Sequence, residues 1–234
     1  NHLGNDSKLS QEDLNHQQAT IAPALELPYR NAKLWIPNAP SVAGISLAHS
    51  LCALEADGSI GDPTSSNTVQ RIASALEATF KIRKKPFLRD LFTEGFGDSF
   101  MARVRARRDA TPGPQPGYTT HISTADIQGN AVSITHSLGE TAGELAGDTG
   151  VLINNFLGEA DVNPPKLQRP AGARLWTMCC PTILEMSDGR VFAMGSGGSS
   201  RIPTAILHGT MYLTDSGWDA VRAVQGPRTH IEGE

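Results

Sequence analysis

Apolar residues recur at helical spacing from Val42 to Ala56 (Val42, Ile45, Leu47, Leu51, Leu54), which predicts a helix there. A second stripe, Val69, Ile72, Leu76 and Phe80, predicts another, with Asn67 placed to cap it. Asp57-Gly58-Ser59 and Gly61-Asp62-Pro63 separate the two. Leu34-Trp35-Ile36 reads as a short strand, Pro37 to Pro40 as the turn after it, and Ser99 to Arg107 as a third helical piece. From Thr119 the character changes to strands, at Thr119–Ala125, Ala131–Ser137, Val151–Ile153, Thr182–Met186 and Val191–Gly195. Asp126-Ile127-Gln128-Gly129-Asn130 turns between the first two, and Ser187-Asp188-Gly189 between the last two. Ser200–Thr214 and Gly217–Val224 again read as helices, the second with Trp218, Val221 and Val224 on one side. Helices, then mostly strands, then helices imply an α+β chain with sheets layered beneath helices.

The chemistry concentrates at Gly117-Tyr118-Thr119-Thr120-His121-Ile122-Ser123. Thr111-Pro112-Gly113-Pro114-Gln115-Pro116 before it has few backbone donors and makes a poor helix or central strand. A linker therefore feeds a hairpin whose first strand begins with paired threonines, which reads as a self-cleavage site with its nucleophile attached. Paired threonines also serve β-propensity, so a purely structural role stays open on these residues alone. A threonine hydroxyl needs an adjacent base. Breaking the bond before Thr119 frees an α-amine of pKa roughly 7.7–8.0, suited to take the hydroxyl proton near neutral pH. His121 shares a strand face with Thr119, but no acid partner is evident and it is read as structural. Gly195-Ser196-Gly197-Gly198-Ser199-Ser200 leads from a strand into a helix, where backbone N–H groups can converge on an oxyanion. The same turn suits a phosphate, but no Lys follows where a P-loop requires one.

From Thr119 the chain reads TTHISTADIQGNAVSITHSLGE, then GVLINN, CCPTILEMSDGRVFAMGSGGSSRI and GPRTHIEG. Upstream stand LSQEDL, Pro28-Tyr29-Arg30 and Pro37-Asn38-Ala39-Pro40-Ser41-Val42-Ala43-Gly44. In this order the segments resemble the γ-glutamyltranspeptidase family of N-terminal nucleophile hydrolases, from Leu9 to Gly233. The resemblance implies a four-layer αββα sandwich, incomplete at both ends. Residues 1–118 match the end of a large subunit, mainly helical, and 119–234 a small subunit. The chain opens without Met and stops before the family's small subunit would end, so it is expected to be a central fragment or a truncated relative.

The activity so implied is that of a self-processing γ-glutamyltransferase-like amidohydrolase or acyltransferase. It would cleave a γ-glutamyl or related amide, as in glutathione metabolism, through a threonyl acyl-enzyme. Water or an amine would accept the acyl group, no cofactor is called for, and large and small subunits would pair after processing. The Tyr118–Thr119 bond would be cut, with Thr119 as nucleophile and Thr120 as the alternative. Ser137 matches the hydroxyl that contacts the nucleophile's amine, where the family commonly has threonine. Gly198 and Ser199 match the two oxyanion donors, both glycine in the family.

The departures gather where the family holds the glutamyl head group. An Asn two residues past the second hydroxyl becomes Gly139, a polar residue after the Asn-Asn pair becomes Phe156, and the carboxylate three further on is Glu159. Two carboxylate-binding serines become Thr177 and Met178, and the family's arginine would lie upstream of Asn1. A second function class follows, an inactive relative that keeps the fold.

With 234 residues, 39% of them hydrophobic, the chain can bury a real core. Its net charge of −4 gives no reason to invoke nucleic acid, and the basic runs Lys81–Lys85 and Arg103–Arg108 read as solvated faces. No apolar run approaches the roughly 20 residues of a membrane span, and the polar N-terminus shows no signal peptide. The resemblance allows a periplasmic or extracellular location. Three cysteines make no disulfide framework, Cys179 and Cys180 point to opposite sides of a strand as packing groups, and the seven histidines show no metal-ligand spacing.

Overall fold

The computed structural model of the chain describes residues 11–104, 119–165, 167 and 169–231. Behind a short helix α1 (Gln11–His16), β1 (Leu25–Tyr29) and β2 (Ala32–Ile36) form a hairpin. Helices α2 (Val42–Ala56), α3 (Ser66–Ile82), α4 (Lys85–Asp90) and α5 (Phe96–Val104) follow. The second part carries β3 (Thr119–Ala125), β4 (Ala131–Ser137), β5 (Thr182–Met186), β6 (Val191–Met194), α6 (Arg201–Thr214) and α7 (Ala220–Gln225).

Helix α2 is the centre of the fold. Its first ten residues and Leu54 are buried, as expected of a helix apolar on every side. Ser41 caps it, accepting from the Gly44 N–H while donating to the Cys179 carbonyl, both at 3.0 Å. Around α2 pack α3, α5, α6 and β1.

All strands pair antiparallel, in a four-stranded sheet ordered β1-β2-β5-β6 and a separate β3-β4 hairpin. The larger sheet joins strands from both sides of residue 118, through the register Leu34↔Leu184. Leu27, Leu34, Leu184 and Met186 belong to the core that the helices cover. The β3-β4 hairpin lies against β5 and β6, so helices, sheet and hairpin supply an α/β/β stack of the α+β sandwich.

Arg30, at φ 54, fastens the edge of this stack. Its Nε lies 2.8 Å from Asp215 Oδ1, and its Nη2 donates to the carbonyls of Leu54 and Gly58 at the end of α2. Tyr29 donates its hydroxyl to the same aspartate at 2.9 Å.

Several expectations need correction. The α3 cap is Ser65, whose hydroxyl accepts from the Thr68 N–H, and Asn67 lies inside the first turn. The stretch Val151–Ile153 is a loop rather than a strand: it meets the preceding loop through a Leu145↔Leu152 bridge and through backbone bonds from Ala146 N–H to Val151 O (2.8 Å) and from Ile153 N–H to Glu144 O (2.9 Å), with Val151 60% exposed. Strand β1 and helix α4 were not expected, and α5 begins at Phe96 rather than Ser99, with 105–118 outside the described residues. On α7, Val221 and Val224 face solvent while Ala223 is buried. Arg83 leaves its basic run to sit over Phe80 and donate to Met178 Sδ at 3.8 Å. Among the described residues no helix is long and apolar enough to cross a membrane.

Candidate active site

The β3-β4 hairpin has inverted polarity. Ile122, Val132 and Ile134 face outward, each about half exposed, while Thr119, His121, Ser123, Ser133, Thr135 and Ser137 share the other face. Those inward hydroxyls find main-chain partners. Ser123 donates to the Ala193 carbonyl and Ser133 to that of Met194, each at 2.8 Å, and the Thr182 N–H donates to Ser133 Oγ at 3.1 Å. Because Ser123 gives its proton to Ala193, it accepts from His121 Nε2 at 2.9 Å; His121 Nδ1 then accepts from Thr135 Oγ1, also at 2.9 Å. Burial keeps the imidazole pKa below its ordinary value. His121 is spent on packing and hydrogen bonds, as expected.

Register pairs the first residue of β3 with the last of β4, Thr119 with Ser137. Their hydroxyl oxygens lie 3.1 Å apart, and Ser137 Oγ also accepts from the Gly139 N–H at 3.2 Å. Thr120 is exposed on the outward face, opposite His136.

The glycine-rich turn after β6 approaches β3 closely. A Cβ on Gly195 would lie 2.1 Å from the His121 ring, and one on Gly197 2.6 Å from the Thr119 carbonyl oxygen. Glycine is required there for proximity. Gly198 (φ 110) and Ser199 (φ 48) then carry the chain through left-handed backbone into α6. Ser199, 8% exposed, donates its hydroxyl to Asp161 Oδ2.

Thr119, Ser137 and Ser199 line one cavity of about 240 Å³. Phe156, Glu159, Thr177 and Met178 line it too, so the substrate-contact positions expected from sequence converge on it. Gly198 lies next to Ser199 in the turn but is outside the lining, and Tyr118 lies outside the described residues. Sequence reasoning missed Val162, Leu175, Trp176 and Ile202, which make the wall largely apolar. It also took Cys179 for packing alone, whereas this half-buried thiol lines the cavity. Burial raises the pKa of Cys179, and that of Cys180 to about 12, so both thiols are neutral.

Glu159 fills the space that Gly139 leaves. A Cβ at position 139, where φ is 65, would lie 2.1 Å from Glu159 Oε1. That oxygen is buried without a hydrogen-bond partner. Burial raises the Glu159 pKa, the charges of Glu140 and Asp161 add to the rise, and the Glu140 backbone N–H opposes it. Thr177 and Met178 are also committed elsewhere. Thr177 Oγ1 accepts from the Cys179 N–H at 3.0 Å, and Met178 is 5% exposed beneath Arg83.

The sequence profile of the family described as Gamma-glutamyltranspeptidase matches residues 2–233. The acylase ACY 1 proenzyme of Pseudomonas sp. (strain SE83) is 28% identical over 251 residues, spanning 98% of this chain and 44% of that protein. The glutathione hydrolase proenzyme of Escherichia coli (strain K12) is 26% identical over 259 residues, spanning 97% and 44%. Cephalosporin acylase from Bacillus halodurans superposes with a TM-score of 0.72 at 20% identity, covering 96% of this chain and 44% of the other, a likeness of fold. The chain thus spans less than half the length of these relatives.

Proposed function

The chain belongs to the γ-glutamyltranspeptidase family, and from that premise we propose that it carries the nucleophile-bearing part of a self-processing amidohydrolase or acyltransferase. The carrying observation is the convergence of Thr119, Ser137 and Ser199 on one cavity. In processing, Thr119 Oγ1 attacks the Tyr118 carbonyl carbon. The Tyr118–Thr119 C–N bond breaks as an ester forms and the nitrogen takes up a proton. Water then hydrolyses the ester, leaving a Tyr118 carboxylate and a free Thr119 amine. Residues 1–118 and 119–234 become the paired large-subunit-like and small-subunit-like pieces. The Pseudomonas acylase and the Escherichia coli glutathione hydrolase carry the word proenzyme in their names, which supports this reading.

In turnover the Thr119 amine accepts the Oγ1 proton as the hydroxyl attacks the substrate amide. Ser137, 3.1 Å from that hydroxyl, orients it. The N–H groups of Gly198 and Ser199 hold the oxyanion. The leaving amine takes the proton, and water or an amine releases the acyl group.

The wall around the cavity supports an acyl group less polar than glutamyl. Phe156, Leu175, Trp176 and Met178 offer no partner to a charged head group, and burying an unpaired charge against them costs several kcal/mol. Among the described residues Glu159 is the one carboxylate lining the cavity, available to an ammonium. The test compares kcat/KM for a γ-glutamyl amide with that for short acyl amides on the processed full-length parent. Higher kcat/KM on the less polar acyl amides supports the reading. A tenfold advantage for the γ-glutamyl amide sinks this substrate assignment, and no turnover on any amide favours the inactive relative.

A further inference from the structure

Ser199 combines two features that ask for an explanation. Its φ of 48 is the left-handed conformation that suits glycine and burdens a residue with a Cβ. Its hydroxyl is not free for substrate, because it donates to Asp161 Oδ2 across 38 residues of sequence. Asp161 is itself fixed. Its carbonyl accepts the Trp176 indole N–H at 2.8 Å, and its charge acts on the Arg83 guanidinium beside Met178.

We propose that Asp161 is a positioning residue for the reaction: it clasps the Ser199 side chain and thereby holds the Ser199 backbone N–H at the oxyanion of the tetrahedral intermediate. The inference rests on the proposed acyl transfer and adds to it a residue that touches neither substrate nor nucleophile. The i→i+3 bonds Arg201 N–H to Gly198 O (2.9 Å) and Ile202 N–H to Ser199 O (3.0 Å) anchor the far side of the turn. The Asp161 bond anchors the Ser199 side chain. A serine there does through its hydroxyl what glycine does through freedom of φ.

This logic separates two substitutions at one position. Ser199→Ala keeps the burdened backbone and loses the clasp; Ser199→Gly loses the clasp and relieves the backbone. In the processed full-length parent, Ser199→Ala and Asp161→Ala each lower kcat at least tenfold with KM within threefold. Ser199→Gly, which relieves the backbone, loses less kcat than Ser199→Ala, and adding Asp161→Ala to it costs no further kcat. Melting temperatures of all four variants identify any that fail to fold, and the Ala/Gly comparison at 199 stands without the Asp161 variants. Equal kcat for Ser199→Ala and Ser199→Gly overturns the clasp while leaving the acyl-transfer reading in place. An undiminished Asp161→Ala loss in the Ser199→Gly background overturns it too. A parent with no turnover overturns both.

Discussion

Thr119 and Ser137 stand eighteen residues apart in sequence yet face each other as cross-strand partners, hydroxyl to hydroxyl at 3.1 Å. The hairpin turn makes this pairing reproducible. Asp126 Oδ1 accepts from the N–H groups of Gln128 and Asn130, each at 2.9 Å, and Gly129 takes φ 89. A fixed turn fixes the register, and the register brings the strand ends together.

Recombinant full-length parent is expected to yield a fragment beginning at Thr119 by intact mass. Thr119→Ala abolishes that fragment, and Thr119→Ser retains it because the hydroxyl survives. Cleavage persisting in the alanine variant transfers the nucleophile role to another group.

Ser137→Ala removes a polar contact worth on the order of 0.5–1.5 kcal/mol to stability. On the proposed acyl-transfer reading, its expected effect on kcat is larger than that on folding, since the Ser137 hydroxyl lies against that of Thr119. Unchanged kcat in a folded variant makes Ser137 a strand-end residue and nothing more.

Gly197→Ala forces a methyl against the Thr119 carbonyl, 2.6 Å from its oxygen. Overpacking of this kind costs about 1–3 kcal/mol, and here it shifts the backbone of Thr119, the proposed nucleophile. A fall in Tm together with slower processing is expected; unchanged values for both show that the turn yields freely.

Asp215 is 1% exposed and serves Arg30, Tyr29 and the Ile60 N–H. Asp215→Ala leaves a largely buried guanidinium without its carboxylate and is expected to destabilise by about 3–5 kcal/mol. Denaturant titration reads this, and a loss below about 1 kcal/mol shows the node to be solvated.

Acid sensitivity follows from two histidines. His208 Nδ1 donates to the Thr204 carbonyl at 2.9 Å while its Nε2 accepts from the Thr229 N–H at 3.1 Å, an arrangement only neutral imidazole satisfies. Burial lowers the pKa values of His208 and His49 to about 4. The unfolded chain therefore binds more protons between the ordinary histidine value and about 4, so stability falls as pH drops through that window. The slope is about 1.4 kcal/mol per pH unit for each histidine. His208→Gln is expected to flatten the decline; an identical slope assigns it elsewhere.

The sequence revealed α2 and the β3-β4 hairpin because their periodicity is sustained and their neighbours turn sharply. Strand β1 was hidden by Pro28, which it tolerates as the edge of the sheet, where a missing N–H leaves no inner ladder broken. Val151–Ile153 misled in the opposite direction, since its β-branched residues pair with the preceding loop through a single Leu145↔Leu152 bridge and a few backbone bonds, too short a ladder to make a strand. Thr119, Ser137 and the lining positions Phe156, Glu159, Thr177 and Met178 were legible as motifs, while the apolar wall of Val162, Leu175, Trp176 and Ile202 was not. Asp161 was not, because its part depends on a contact with Ser199 that no local pattern encodes.

The inverted hairpin bears on a choice that composition leaves open, between two identical neighbouring threonines. Strand parity separates them by half a pleat, one toward the cavity and one toward solvent. A slip of one residue would send Thr119 outward, bring Thr120 in, and exchange the hydroxyls of Ser123 and Ser133 for Ile122 and Val132 or their neighbours. The carbonyls of Ala193 and Met194 would then lose their donors together. Those two serine contacts act as a proofreading pair: they accept one alignment of the strand and reject the next, and so decide which of two chemically equal hydroxyls faces the cavity.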